Sequence, residues 1–157
     1  AGKKIPPDAT SLLMQDHAEA RAMFLQYGME KDQTIKAVLA QKICMALTVH
    51  AQIEEEAFYP AAGAALEDDE LVAEAVEEQA EMKAEIAKVI EGVAAGKKVD
   101  RHIKTLMQLV EHHVAEEESE MFPDMRQTGI DLYELGERLA TRRVEALLTL
   151  RREAAKA

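Results

Sequence analysis

Two copies of one short motif place a histidine four residues before a glutamate. The first copy contains His50 and Glu54, and the second, 63 residues later, contains His113 and Glu117. Residues four apart on an α-helix lie about one turn apart on nearly the same face, so the imidazole and the carboxylate point in the same direction. Imidazole and carboxylate ligands together suit iron, manganese or zinc. Two such helices facing each other could therefore hold a pair of metal ions.

A single histidine and glutamate at this spacing in an acidic protein would more often be an ion pair on a solvated helix face. The duplication favours a metal site instead. Both copies end in an aromatic residue followed by proline, Tyr59-Pro60 and Phe122-Pro123. Both also lie on the apolar stripe of a predicted helix, where an unpaired charge is costly to bury. A bound metal would remove that cost.

The duplication extends upstream of the two motifs. Residues 16–21 are matched by residues 78–83, so His17 and Gln79 occupy equivalent positions. A repeat of about 62 residues with two helical patterns in each unit predicts two α-hairpins, which pack face to face as a four-helix bundle. The candidate ligands that converge at mid-bundle are His17, His50, Glu54, His113 and Glu117.

The spacing of apolar residues predicts four bundle helices and one further helix. We expect Pro60 and Pro123 to end the second and fourth helices, because a proline ring obstructs a continuing helix. The fifth helix is amphipathic and carries five arginines, and we expect it to pack along the bundle. The predicted spans are residues 10–28, 34–58, 70–95, 100–121 and 131–155.

The composition is typical of a single all-α domain. Aromatic residues make up only 4% of the chain, and its 157 residues suffice to bury a core without disulfides. The lone Cys44 excludes an internal disulfide. We therefore predict one domain at residues 1–157: an up-down four-helix bundle of two repeated α-hairpins at about 10–125, with an additional C-terminal helix.

Charge and hydropathy limit the classes of partner. The net charge of −11 and the lack of a basic stripe argue against nucleic acid and anionic membranes. No apolar run is long enough to cross a bilayer. Residues 1–7 carry charge but no apolar segment follows them, which predicts a cytoplasmic protein. The sequence does not identify a protein partner.

These motifs resemble the hemerythrin-like, or HHE cation-binding, proteins, whose pattern is H…HxxxE…H…HxxxE over a four-helix bundle. The resemblance covers roughly residues 10–125. It implies a non-haem di-iron centre, with two iron ions joined by an oxo or hydroxo bridge. By this resemblance the two glutamates bridge the irons, and the ligands are His17, His50, Glu54, His113 and Glu117.

The sequence departs from this family pattern at Gln79, where the third helix of the family supplies a histidine. An amide is a weaker ligand than an imidazole. Gln79 could bind through its carbonyl oxygen, hydrogen-bond a metal-bound water, or leave room for Glu78 as a substitute ligand. Of these three, we favour the contact with water.

The resemblance implies a protein that binds a small diatomic or peroxide ligand: O₂, peroxide or nitric oxide. An alternative is a di-iron enzyme of the peroxide-decomposing (catalase-like) or ferroxidase type, for which oxygen evolution from peroxide would discriminate. A third possibility is a metal-free interaction module that uses the basic fifth helix. The duplicated motifs motivate the di-iron binding protein as our leading hypothesis.

Overall fold

The computed structural model describes residues 7–156, and the regular elements in this range are all helical. Two π-helical turns, Glu54–Phe58 and Glu117–Met121, continue directly into short α-helices, so residues 7–156 form five continuous rods. The predicted all-α fold with an additional C-terminal helix is confirmed. The α-helices are α1 (Ala9–Met29), α2 (Gln33–Ile53), α3 (Tyr59–Leu66), α4 (Asp69–Ala94), α5 (Asp100–Glu116), α6 (Phe122–Arg126) and α7 (Leu132–Lys156).

Aspartates cap the start of four rods, because a carboxylate accepts hydrogen bonds from the free backbone N–H groups of a first turn. Asp8 begins α1 by accepting from the N–H of Ser11 at 2.9 Å. Equivalent caps lie at Asp32, Asp68 and Asp131. No helix in residues 7–156 is both long and apolar enough to cross a lipid bilayer. The predicted lack of a secretion segment rests mainly on residues 1–6, which lie outside the described range.

Pro60 and Pro123 do not end their helices, so that prediction was wrong. The second rod continues to Leu66 and the fourth to Arg126. In a regular α-helix the proline ring would clash with the carbonyl group four residues earlier. Here each proline follows a π turn, and the wider turn leaves space for the ring.

The two π turns begin at the two candidate metal-binding glutamates. The backbone N–H of Tyr59 bonds to the carbonyl oxygen of Glu54, and that of Phe122 bonds to the carbonyl oxygen of Glu117. Such insertions in α-helices occur frequently at functional sites. Each turn changes the direction in which the following aromatic residue points.

The bundle core consists of two apolar clusters separated by polar side chains. The Tyr27 cluster includes Tyr27, Ile43 and Leu106, and the Phe58 cluster includes Phe58 and Phe122. Six buried polar residues lie between the two clusters along the rods, with exposed fractions of 0% to 9%. We call these six the polar layer: His17, His50, Glu54, Gln79, His113 and Glu117.

Helix α7 packs against α1 and α2, which confirms the prediction that it lies along the bundle. Its apolar side is buried at Leu135 and Leu139. On its basic side, Arg143 donates to Asp16 on α1 at 2.6 Å, and Arg142 pairs with Glu56 of the first π turn. The basic helix is thus joined by ion pairs to rods that carry the polar layer.

Gly136 allows α7 to approach the start of α1. A Cβ atom at this position would lie 2.6 Å from the carbonyl oxygen of Pro7 and 2.9 Å from the backbone nitrogen of Ala9. We expect Gly136→Ala to lower the free energy of unfolding by about 1–3 kcal/mol, because backbone must shift to admit the methyl group. Urea unfolding followed by circular dichroism measures this change.

Gly63→Ala is the matched control, because Gly63 is helical and no atom lies within 4 Å of its added Cβ. This variant should gain up to about 1 kcal/mol from the higher helix propensity of alanine. Equal stability of Gly136→Ala and the unmodified protein would contradict the close approach of α7.

Candidate metal centre

The structure brings the five predicted ligands together from three rods. They form two overlapping groups, His17–His50–Glu117 and Glu54–His113–Glu117. Within each group one nitrogen or oxygen atom per residue lies within 4.8 Å of the others. Glu117 belongs to both groups, so the arrangement offers two neighbouring cation positions that share a carboxylate.

Each glutamate lies between histidines of the two hairpins. Oε1 of Glu54 is 2.8 Å from Nε2 of His50 and 3.8 Å from Nε2 of His113. Oε1 of Glu117 is 2.8 Å from Nε2 of His113 and 3.6 Å from Nε2 of His17. Both carboxylates are therefore placed where they could contact two cations.

Seven buried side-chain nitrogen and oxygen atoms make no well-aligned hydrogen bond within residues 7–156, and all seven belong to the polar layer. Two of them, Nε2 of His50 and Oε1 of Glu117, have only the close contacts at 2.8 Å given above. Each such atom is destabilising by about 1–3 kcal/mol when it is left unpaired. Cations would give partners to the imidazole nitrogens and to the oxygen atoms at once, so the residues present fit a metal pair. The atoms are Nδ1 and Nε2 of His17, Nε2 of His50, Oε2 of Glu54, Oε1 of Gln79, and Oε1 and Oε2 of Glu117.

Carboxylates hold the outer nitrogens of two of the histidines. Nδ1 of His50 lies 2.9 Å from Asp16, and Nδ1 of His113 lies 2.9 Å from Glu78. A carboxylate at Nδ1 fixes the ring so that Nε2 points inward, which is the usual support for a metal-binding histidine. Glu78, which was a possible ligand, thus lies outside the centre and contacts the far side of the His113 ring.

The pKa values of the three histidines differ strongly within the layer. Burial, with the nearby His50, lowers the pKa of His17 to about 4. Burial also acts to lower the pKa of His50 and of His113, but their carboxylate partners outweigh it and raise these values to about 10 and about 11. Metal binding would have to displace these protons, because a ligand nitrogen must be unprotonated.

The pKa values of the two glutamates also shift in opposite directions. Burial, together with the neighbouring Glu54 carboxylate, raises the pKa of Glu117 well above its ordinary value. Burial acts to raise the pKa of Glu54 as well, but His50 and other partners outweigh it and lower that pKa. Two adjacent buried carboxylates cannot easily both be ionised without added positive charge. A cation pair would supply that charge.

Gln79 lies inside the polar layer and contacts Tyr59, whose role the sequence pattern does not reveal. Its Nε2 donates to Oε1 of Glu54 at 2.9 Å and to the hydroxyl oxygen of Tyr59 at 2.9 Å. The hydroxyl of Tyr59 also lies 3.0 Å from Nε2 of His113. Tyr27 lies in the Tyr27 cluster and donates to Asp100 at 2.6 Å.

A cavity of about 450 Å³ adjoins the polar layer on the side of the Tyr27 cluster. Among its lining residues are Gln79 and the three histidines of the layer. Much of the remaining wall is apolar and includes Met82, Ile86, Val110 and Val114. A small molecule could therefore approach the layer through a largely apolar space.

The remaining two histidines lie outside the layer. His102 contacts Glu85 at 2.8 Å, and His112 is exposed beside Glu78 and Glu116, 3.1 Å from each carboxylate. Both contacts lie at the surface or its edge.

Comparison with known proteins agrees with this geometry. The model of the family described as hemerythrin HHE cation binding domain matches residues 8–125, which is more than half of the chain. A solved structure of a hemerythrin HHE cation binding domain-containing protein from Mycobacterium kansasii is similar in fold, with a TM-score of 0.75 and 21% identity over 91% of this chain and 89% of that one. No curated protein matches the chain significantly. The chain belongs to the hemerythrin HHE cation-binding domain family.

Proposed function

We propose that this chain is a non-haem di-iron protein that binds O₂ or a related small oxidant, such as peroxide or nitric oxide. The observation that carries the proposal is the pair of overlapping ligand groups that share Glu117. When bound, two irons supply redox-active positions at which a small oxidant can coordinate. The residues of the polar layer would bind and orient the two irons.

His17 and His50 would hold one ion and His113 the other, and Glu54 and Glu117 could contact both. The distances support this assignment, because Oε1 of each glutamate lies between a histidine of the first hairpin and His113 of the second. Neither group of protein ligands completes six-coordination, so positions remain for a small molecule.

The donor set favours iron over structural zinc. It contains imidazoles and carboxylates and no thiolate, whereas structural zinc sites commonly use cysteine. Cys44 lies in the Tyr27 cluster, away from the polar layer, and burial raises the pKa of its thiol to about 12. It is therefore a packing residue.

The cavity beside the polar layer supports a role with small oxidants. Aliphatic and methionine side chains form part of its wall, and an uncharged molecule such as O₂ needs no polar partner there. Charged side chains, among them Lys42, Lys83 and Arg143, also line the cavity. The cavity therefore offers a small oxidant a route to the polar layer.

Metal analysis tests the proposal. Protein expressed in medium that contains both iron and zinc should carry roughly two irons per chain. His113→Ala should retain roughly one iron, because His113 belongs to one ligand group alone, whereas His102→Ala, which alters a histidine outside the layer, should retain both. Stoichiometric zinc without iron would overturn the proposal. Sustained oxygen evolution from hydrogen peroxide would show turnover and so replace the binding protein with the peroxide-decomposing enzyme.

A further inference from the structure

The two hairpins differ at two equivalent positions of the polar layer and its border. The first hairpin has His17 where the second has Gln79. Five residues after the motif glutamate, and directly before proline, the first hairpin has Tyr59 where the second has Phe122. The second hairpin therefore lacks an imidazole that the first has, and the first carries a hydroxyl group that the second lacks.

These two differences meet across the bundle. The ring of Phe122 stacks on His17, with centroids 5.9 Å apart and planes 8° from parallel. At the equivalent place, the hydroxyl of Tyr59 contacts Nε2 of Gln79 at 2.9 Å. The aromatic residue of each hairpin thus faces the first helix of the other. The hydroxyl of Tyr59 therefore lies beside Gln79, which stands in place of a histidine equivalent to His17.

The distance from the Tyr59 oxygen to His113 fits two donors to one metal ion. It lies 3.0 Å from Nε2 of His113, the nitrogen that faces the centre. Two donors bound about 2.1 Å from one octahedral ion lie about 3.0 Å apart. The neighbouring pair, Nε2 of His113 and Oε1 of Glu117, has nearly the same separation, 2.8 Å. Tyr59 itself is only 3% exposed.

The hydrogen bond from Gln79 fits a negatively charged oxygen at Tyr59. The phenol oxygen also lies 3.0 Å from Nε2 of His113, and the hydrogen between these two atoms can belong to either of them. A metal ion bound by both atoms would take the place of that hydrogen. The amide N–H of Gln79 would then stabilise the phenolate, because hydrogen bonds to charged acceptors are the stronger ones.

We propose that Tyr59 is a further ligand of the metal centre and binds through its phenolate oxygen, on the His113 side, in place of the imidazole that Gln79 does not supply. This assignment rests on the proposed function. Binding forms one metal–oxygen bond and breaks the phenol O–H bond, the proton passes to solvent, and no electron is transferred. Gln79 is then a positioning residue that orients Tyr59 and Glu54, rather than a ligand.

The test uses the colour of the iron-loaded ferric protein. A phenolate bound to ferric iron gives a charge-transfer band in the visible range, with tyrosinate vibrations in the resonance Raman spectrum excited there. We expect both signals in the unmodified protein. Tyr59→Phe should abolish both while the circular dichroism spectrum remains unchanged. Tyr27→Phe is the matched control, because Tyr27 is equally buried but lies in the apolar cluster, and it should leave both signals intact.

Two further experiments keep the test decisive if Tyr59→Phe folds poorly. Ring-deuterated tyrosine incorporated into the unmodified protein should shift the Raman bands. Gln79→His, which restores an imidazole, should weaken the visible band because the new histidine competes with Tyr59 for the same ion. Bound iron without tyrosinate vibrations would overturn the Tyr59 assignment and leave the di-iron proposal standing. Failure of the protein to bind iron at all would overturn both.

Discussion

Glu117→Ala is expected to reduce the bound iron from about two ions per chain to almost none, because Glu117 belongs to both ligand groups. Residues that only support a ligand already contribute about 10–100-fold to metal affinity. Loss of a ligand that both ions share should therefore lower the metal affinity by more than about 100-fold. Iron analysis of the purified variant, with calorimetric titration of the metal-free form, measures the effect.

His17→Ala provides the comparison for this prediction. His17 belongs to one group alone, so this variant should retain roughly one iron per chain. Glu120→Ala, on the exposed side of the same π turn, should retain both ions. Two irons in Glu117→Ala would contradict the shared carboxylate.

Removal of the metal should lower the melting temperature by roughly 10 °C, which is the second large effect. A ligand present at about a thousand times its dissociation constant stabilises the folded state by about 4 kcal/mol, and 1 kcal/mol corresponds to about 2–4 °C for a domain of this size. The stabilisation arises because the unpaired atoms of the polar layer gain partners. Differential scanning calorimetry before and after chelation measures the shift.

The Glu117→Ala variant separates this effect from direct action of the chelator. Because it lacks the shared ligand, its melting temperature should not change on chelation. An unmodified protein whose melting temperature is also insensitive to chelation would show that the polar layer is satisfied without metal.

The candidate ligands could be predicted from sequence because their geometry is local. A histidine and a glutamate four residues apart share a helix face whatever else the chain does, and duplication shows that the faces of two hairpins meet. The convergence of His17 with His50 followed from the same repeat. The placement of these side chains on facing helices therefore followed from periodicity, whereas their role as iron ligands was implied by the family resemblance.

The π turns could not be predicted in this way. Helical periodicity assumes a constant rotation per residue, and it places a residue five positions after Glu54 away from the centre. The π turn changes that rotation and brings the hydroxyl of Tyr59 to His113. The same feature explains why Pro60 was wrongly expected to end the helix. The aromatic-proline pair at Tyr59-Pro60 was visible in the sequence, but its structural meaning was not.

The residues that orient the histidines were also hidden from sequence reasoning. Asp16 and Glu78 reach His50 and His113 across helix interfaces, 34 and 35 residues away along the chain. Arg143 contacts Asp16 from a helix outside the repeat. Such contacts depend on how the rods rotate against each other, which periodicity determines only approximately.

We propose that two cations lie between the hairpins and share Glu117. An anomalous-difference map from crystals of the iron-loaded protein, measured on both sides of the iron absorption edge, would locate them. We expect two iron peaks about 3.5–4 Å apart, each beside a carboxylate oxygen of Glu117. A map with no iron peak within the polar layer, or with a single peak there, would contradict it.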